Sequence, residues 1–458
     1  MTTFTNAVKN QSARTQNNMK ARASTASPTV DLFYGIGASR GKDILPAFVA
    51  AYVEDKELAV RIALWARDAR GGAGERKLFR DILTYLDKND PDLAYRVLLK
   101  TPELGRWDDM LVVEKNRPYA FTLIKHALEA KHGLAAKWMP RKGPDANALR
   151  TFLGWSPKRY RKTLVTLSKT VEQNMCARSW DQITYDHVPS VASARYQKAF
   201  FKHDPVRYAE WREGLKTGET KVNASVLYPY DVIKSVHHGD ETVALAQWEA
   251  LPNYVGDANI LPIVDVSGSM TCSAGGSKSV TCLDVAVSLG LYLADKNKGK
   301  FKDTCLTFSA KPQLLHLQGN LLQKMQQMES SQWEMNTNLN AAFEKILQVA
   351  LEGKVPQEEM PQTVLILSDM QFDQCVRHDD SAIEMIRRKY EAAGYTIPNV
   401  VFWNLNNSYG NAPVAFNESG TALVSGFSPA IMTSILAGKE FTPESIMLET
   451  IMKERYDF

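Results

Sequence analysis

A single change of hydrophobic periodicity, near residue 255, constrains this chain most. Before it, apolar residues recur at helical spacing. Ile44 to Glu54 carries Leu45, Phe48, Val49, Tyr52 and Val53 on one face. Lys56 to Ala69 repeats the pattern with Leu58, Ile62, Leu64 and Trp65, and Glu75 to Leu86 with Leu78, Phe79, Ile82, Leu83 and Leu86. Further helices are predicted over Asp92 to Lys100, Tyr119 to Lys131 and Ser156 to Arg178. The last opens with Ser156 as cap and Pro157 at the first helical position. Short helices joined by polar turns predict an all-helical, HEAT-like superhelix over residues 31–255.

After residue 255, apolar strands alternate with helices. Strands are predicted at Asn259 to Val264, Phe301 to Ser309, Gln313 to Leu317, Thr363 to Ser368, Asn399 to Asn404 and around Leu423 and Val424. Between and after them lie helices at Cys282 to Lys296, Leu321 to Met328, Leu339 to Leu351, Ala382 to Ala393, Ala430 to Leu436 and Pro443 to Arg455. This alternation predicts a mostly parallel sheet covered on both faces, a Rossmann-like domain over residues 256–458. The fold class is therefore α followed by α/β.

At 458 residues the chain has room for two or three domains. Its 44% hydrophobic and 23% charged residues suit a soluble globular protein, and the net charge of +4 is too small to name a partner. Residues 1–30 are polar and basic, with no acid before Asp31, and are predicted to be a disordered tail. No apolar run is long enough to span a membrane. Cys176, Cys272, Cys282, Cys305 and Cys375 are scattered without a CxxC pair. They read as reduced thiols of a cytoplasmic chain, each a small apolar core residue.

The first strand of the second half ends in Asp265-Val-Ser-Gly-Ser269. Ligands in such sheets sit beyond the carboxyl ends of the strands. An aspartate and two serine hydroxyls, spaced two apart in a strand-to-helix loop, suit a hard cation such as Mg²⁺ or another divalent ion. The plainer reading is that Asp265 and Ser267 only cap the next helix. The cluster holds no histidine to act as a general base and too few carboxylates for a two-metal nuclease, so no enzyme activity is expected. Cys272 has no histidine partner and is not read as a nucleophile.

This loop resembles the metal-ion-dependent adhesion site of von Willebrand A domains. In that family a threonine from a second loop and an aspartate after a later strand complete the site. Thr337, in Trp333-Glu-Met-Asn-Thr-Asn-Leu339, and Asp369, in Leu365-Ile-Leu-Ser-Asp-Met370, match those positions. The resemblance implies that Ser267, Ser269 and Thr337 bind the metal directly and that Asp265 and Asp369 act largely through water. It also implies an open coordination position for a partner's carboxylate.

The most one-sided charge lies between Lys131 and Lys169, where Asp145 is the only acid. Cations neutralise phosphates and aromatic faces stack unpaired bases. The candidate phosphate contacts are Lys137, Arg141, Lys142, Lys158, Arg159, Arg161 and Lys162. Trp138 and Trp155 are candidates for stacking. A second cluster, Arg67, Arg70, Arg76, Lys77 and Arg80, surrounds Gly71-Gly72-Ala73-Gly74, a turn able to offer backbone N–H groups to a phosphate. The plainer readings are a solvated basic face and surface ion pairs with Asp68, Glu75 and Asp81.

A helical superhelix followed by a von Willebrand A domain resembles the layout of Ro-type ribonucleoproteins, whose helical part is the TROVE domain. Asp31-Leu-Phe-Tyr-Gly-Ile-Gly-Ala-Ser-Arg40 looks like that family's opening helix. Leu64-Trp-Ala-Arg-Asp-Ala-Arg-Gly-Gly-Ala-Gly-Glu-Arg76 and Ala136-Lys-Trp-Met-Pro-Arg141 look more like a sister family of the same layout. The resemblance implies a non-enzymatic RNA-binding protein that takes structured RNA with single-stranded ends, without DNA specificity or membrane attachment. The alternative is a protein-interaction scaffold that uses the metal site to capture an acidic residue of a partner.

Overall fold

The computed structural model describes residues 12–238, 241–277, 280–308, 311–331, 337–373, 382–407 and 410–458. It opens on a hairpin of β1 (Ser12–Arg14) and β2 (Lys20–Arg22). The helical part follows, with α1 (Pro28–Ile36), α2 (Leu45–Glu54), α3 (Lys56–Arg67), α4 (Arg76–Asn89) and α5 (Pro91–Leu104). Beyond a 3₁₀ turn at Trp107–Val112 come α6 (Arg117–Glu129), α7 (Gly133–Trp138), α8 (Pro144–Phe152), α9 (Pro157–Ser168) and α10 (Val171–Cys176). Then come α11 (Ser190–His203), α12 (Pro205–Thr217), α13 (Pro229–His238) and α14 (Glu241–Glu249).

Local chemistry starts these helices where it does. Asp55, Asp90 and Ser156 accept the backbone N–H three residues on, at 2.9, 3.2 and 3.2 Å, and so cap α3, α5 and α9. Prolines open α1, α5 and α9, where a missing N–H costs nothing. The helix predicted over Ser156 to Arg178 is two helices. Lys169 takes a left-handed conformation (φ 42°), which ends α9 before α10 begins.

The second half holds β3 (Ile260–Asp265), α15 (Cys282–Lys296), β4 (Thr304–Phe308), β5 (Leu314–His316), α16 (Leu321–Glu329) and α17 (Leu339–Gly353). β6 (Thr363–Ser368), α18 (Ala382–Ala392), β7 (Asn399–Asn404), β8 (Thr421–Ser425), α19 (Met432–Ala437) and α20 (Pro443–Ile451) complete it. The six strands are ordered β5-β4-β3-β6-β7-β8, all parallel except the β4–β5 edge pair. Counting from β3, this is the doubly wound order 3-2-1-4-5-6, whose direction reverses between β3 and β6. Both of those strands are buried along their whole length, as their apolar runs require. Helix α15 crosses the sheet closely at Gly290, where a Cβ would stand 2.3 Å from Val264 Cγ2.

The two halves share one core, which draws on buried residues from Met19 to Tyr456. Helix α1 lies against β8. There the Gly37 N–H donates to Ser425 Oγ (3.0 Å), and that hydroxyl donates to the Phe33 carbonyl (3.1 Å). Arg455 and Tyr456 reach back to Asp68 at 2.5–3.1 Å. A second, aromatic core forms separately around Tyr185, Phe200, Tyr208 and Trp211.

The tail expected over residues 1–30 is ordered from residue 12 onward; residues 1–11 lie outside the described residues. Its polar groups find partners in distant loops. Thr15 Oγ1 donates to the Phe372 carbonyl at 2.6 Å, and Gln16 N donates to Gln371 Oε1 at 2.8 Å. Arg22 and Ala412 exchange two backbone hydrogen bonds. Met19 is buried beneath the turn.

Candidate metal centre and basic face

Asp265 is the last residue of β3 and is fully buried. The chain then turns through a short 3₁₀ segment, Gly268–Thr271, which brings Ser267 and Ser269 back beside it. Ser267 N donates to Asp265 Oδ1 (2.9 Å), and the Ser267 and Ser269 hydroxyls stand 3.0 Å apart. Ser368, the last residue of β6, donates its hydroxyl to Asp265 Oδ2 at 2.5 Å. Asp369 follows it, hydrogen bonded to the Ser269 hydroxyl. Met370 then takes a left-handed conformation (φ 65°), and Gln371 N donates to Asp369 Oδ1 at 3.2 Å. These groups meet where the strand order reverses, the position at which such sheets bind ligands.

Thr337 lies just before α17 and is also fully buried. Its hydroxyl donates to the Gln371 carbonyl (2.9 Å), and its N–H donates to Asp373 Oδ2 (2.8 Å). It therefore faces the loop that carries Asp369. Most of its own loop, residues 332–336, lies outside the described residues. The N-terminal hairpin covers this side. Asn17 Nδ2 donates to the Gln371 carbonyl at 2.9 Å and to Thr337 Oγ1 at 3.3 Å.

Burial, and then the neighbouring Asp369, push the Asp265 carboxyl up to about 7. Burial likewise raises Asp369, although Gln371 and Ser269 partly offset it through hydrogen bonds. Two carboxyls raised in this way are what a divalent cation would relieve. Among the described residues no three His, Cys, Asp or Glu side chains gather to hold a metal. An ion at this site would rest on two carboxylates and the hydroxyls of Ser267, Ser269 and Thr337, a donor set suited to Mg²⁺.

Sequence reasoning did not single out Ser368, Gln371, Asp373 or Asn17. An aspartate four residues beyond Asp369 was a visible signal for Asp373. Nothing in a polar tail pointed to Asn17.

The basic residues divide into two groups. Lys142, Lys158, Arg159, Arg161 and Lys162 are exposed, the last four on α9. Lys137 is half-buried. Arg141 is exposed, but its Nη1 donates to the carbonyls of Ala136, Lys137 and Met139 at 2.8–3.2 Å. It is committed to the end of α7, whose last carbonyls need donors. Trp138 is covered by the Arg106 guanidinium, 3.5 Å from its ring centre. Trp155 lies under Arg159 at 4.9 Å and packs against the core.

In the second cluster, Arg67, Lys77 and Arg80 form ion pairs. Arg67 and Arg80 both bind the fully buried Asp109 at 2.7 Å. Arg40 makes a bidentate pair with Glu75, and Lys77 pairs with Asp81 at 2.6 Å. The glycine turn is closed, because a Cβ on Gly72 would stand 1.8 Å from the Trp65 carbonyl oxygen.

Of the cysteines, Cys282 and Cys305 are buried as expected, Cys272 is half-buried and Cys176 is exposed. Cys375 lies outside the described residues. Among the described residues no helix is long and apolar enough to cross a membrane.

Two family models match the chain, each a domain of unknown function: DUF2828 over residues 139–259 and DUF7788 over residues 259–456. The uncharacterized protein L728 of Acanthamoeba polyphaga mimivirus is 30% identical over 503 residues, spanning 95% of this chain and 86% of that protein. No solved structure matches. At that identity and coverage, the chain belongs to the same family as the mimivirus protein.

Proposed function

We propose that the chain is a non-enzymatic RNA-binding protein of Ro-like type, with a divalent-cation docking site of von Willebrand A type in its α/β domain. One observation carries the RNA reading. Helix α9 exposes Lys158, Arg159, Arg161 and Lys162, with no acid in its first turn. Lys158 and Arg159, in the first turn, oppose the helix dipole and are held there at a cost of a few tenths of a kcal/mol to ~1 kcal/mol each. Phosphates laid across that face would remove the cost. Lys142 extends the same charge. Arg141 leaves the contact set because its guanidinium donates to three carbonyls, and Trp138 because Arg106 covers its ring.

In the α/β domain, Ser267, Ser269 and Thr337 would hold Mg²⁺ with Asp265 and Asp369. A bound cation would supply a positively charged position for an acidic side chain.

The test is binding of a labelled RNA hairpin with a single-stranded 3′ tail across a salt series. A variant with Lys158, Arg159, Arg161 and Lys162 changed to Glu serves as the comparison. Wild-type affinity should fall with salt at a log–log slope of about −0.7 for each single-strand phosphate contacted, and the variant should lose binding. Equal binding by both proteins, or an affinity indifferent to salt, would move the RNA elsewhere or remove it.

A protein-scaffold reading has its own support. The rim of the metal site already holds a polypeptide, the hairpin that places Asn17 against Thr337. Absence of RNA binding at low salt, together with Mg²⁺-dependent capture of an acidic peptide, would favour it.

A further inference from the structure

The chain between Ser269 and α15 doubles back on itself. Ser273 and Thr281 form an antiparallel bridge, flanked by hydrogen bonds from Ala274 N to the Val280 carbonyl and from Cys282 N to the Cys272 carbonyl, both 2.9 Å. This register sets Cys272 directly opposite Cys282, and their sulfurs stand 3.5 Å apart. Opposed residues in an antiparallel pair have Cα atoms roughly 4.5–5.5 Å apart, inside the range that a disulfide spans. Only the sulfurs need to approach, by about 1.5 Å, to reach a bond near 2.05 Å. Cys272 is half-buried, whereas Cys282 is buried at the start of α15. Asn406 Nδ2 donates to Cys272 Sγ at 3.1 Å. The Cys272 N–H donates to the Ser269 carbonyl (3.2 Å), which ties the pair to the loop of the candidate metal centre.

We propose that Cys272 and Cys282 form a peroxide-oxidisable dithiol that closes reversibly to a disulfide at the mouth of the Asp265 site. Cys272, the accessible member, attacks one oxygen of hydrogen peroxide. The O–O bond breaks, hydroxide leaves and takes up the thiol proton as water, and Cys272 becomes a sulfenic acid. The Cys282 sulfur then attacks Cys272 Sγ, forming the S–S bond. The sulfenic oxygen leaves as water with the Cys282 proton. In sum, two thiols and one peroxide give one disulfide and two waters. A thiol reductant reverses the bond by exchange. The proposal does not depend on a metal being bound.

The experiment uses the full-length chain. Reduced protein is treated with one equivalent of hydrogen peroxide, blocked with iodoacetamide and digested with trypsin. Trypsin cuts at Lys278, between the two cysteines, so the disulfide appears as a pair of cross-linked peptides. The expected product is the Cys272–Cys282 pair, lost on treatment with dithiothreitol. Cys282→Ser should leave a sulfenic acid on Cys272 that dimedone traps. Cys272→Ser, at the half-buried position, should leave Cys282 without a dimedone adduct. Recovery of both cysteines alkylated, or Cys272 linked instead to Cys375 or to a second chain, would overturn the proposal. The wild-type peptide map alone decides the matter if either variant folds poorly.

Discussion

Asp265→Asn separates the metal-site reading from the helix-cap reading. The carboxyl is held at about 7 by burial and by Asp369, against an ordinary value of 3.8. Its folded-state value therefore exceeds its unfolded one, and the folded chain binds the proton more tightly. The group's contribution is most favourable below the unfolded value and is lost as pH rises towards 7. At pH 8 the cost is at most about 4 kcal/mol, taking ~1.4 kcal/mol for each tenfold in proton affinity. At pH 5 the same arithmetic gives a little under ~2 kcal/mol. Asparagine keeps Oδ1 for the Ser267 N–H and sets its amide against the Ser368 hydroxyl, so the shape is preserved. Urea unfolding in EDTA should show wild type losing ~2–3 kcal/mol relative to Asp265→Asn between pH 5 and pH 8, with the variant the more stable at pH 8. Mg²⁺ at about a hundred times its dissociation constant should then stabilise wild type by ~2.7 kcal/mol and the variant hardly at all. A variant less stable than wild type at pH 8 in EDTA would refute the reasoning. So would equal stabilisation of both proteins by Mg²⁺.

Arg67→Met strips the fully buried Asp109 of one of its two arginines and should cost about 3 kcal/mol, read from the urea midpoint. Gly290→Ala forces a Cβ against Val264 beneath the metal loop and should cost ~1–3 kcal/mol in a thermal melt. An unchanged melting temperature would mean that α15 is free to move off the sheet. Arg141→Gln removes three carbonyl contacts at the end of α7 and should cost about 1 kcal/mol. The salt slope of RNA binding should stay as in wild type, and a shallower slope would return Arg141 to the phosphate contacts.

The sheet was legible because β3 and β6 are uninterrupted apolar runs that stop at polar loops, and strand ends are where such folds place ligands. Asp265, Ser267 and Ser269 stood in one short string, and Asp369 was marked by the end of β6. The hairpin was not legible. Its polar side chains are paid for by Gln371 and Phe372, some 355 residues away, and no local pattern encodes such partners. For the same reason charge alone could not sort Arg141 from Lys142. Both are cations in a basic run, and only the fold shows that one is spent on the carbonyls of α7. The break at Lys169 was hidden because a left-handed lysine leaves no mark on apolar spacing.

The clasp between Asp68 and Arg455 has a consequence for biosynthesis. The two residues are separated by 387 positions, so a ribosome releases Asp68 long before its partner exists. The same holds for α1, whose resting place on β8 is made nearly as late. Translation proceeds at roughly 5–20 residues per second, which leaves the early helices without these contacts for some tens of seconds. The nascent chain must carry α1 and the turn after α3 through that interval with their apolar surface open. The shared core is thus completed by segments made at widely separated times, and chaperone demand should be highest just before β8 emerges.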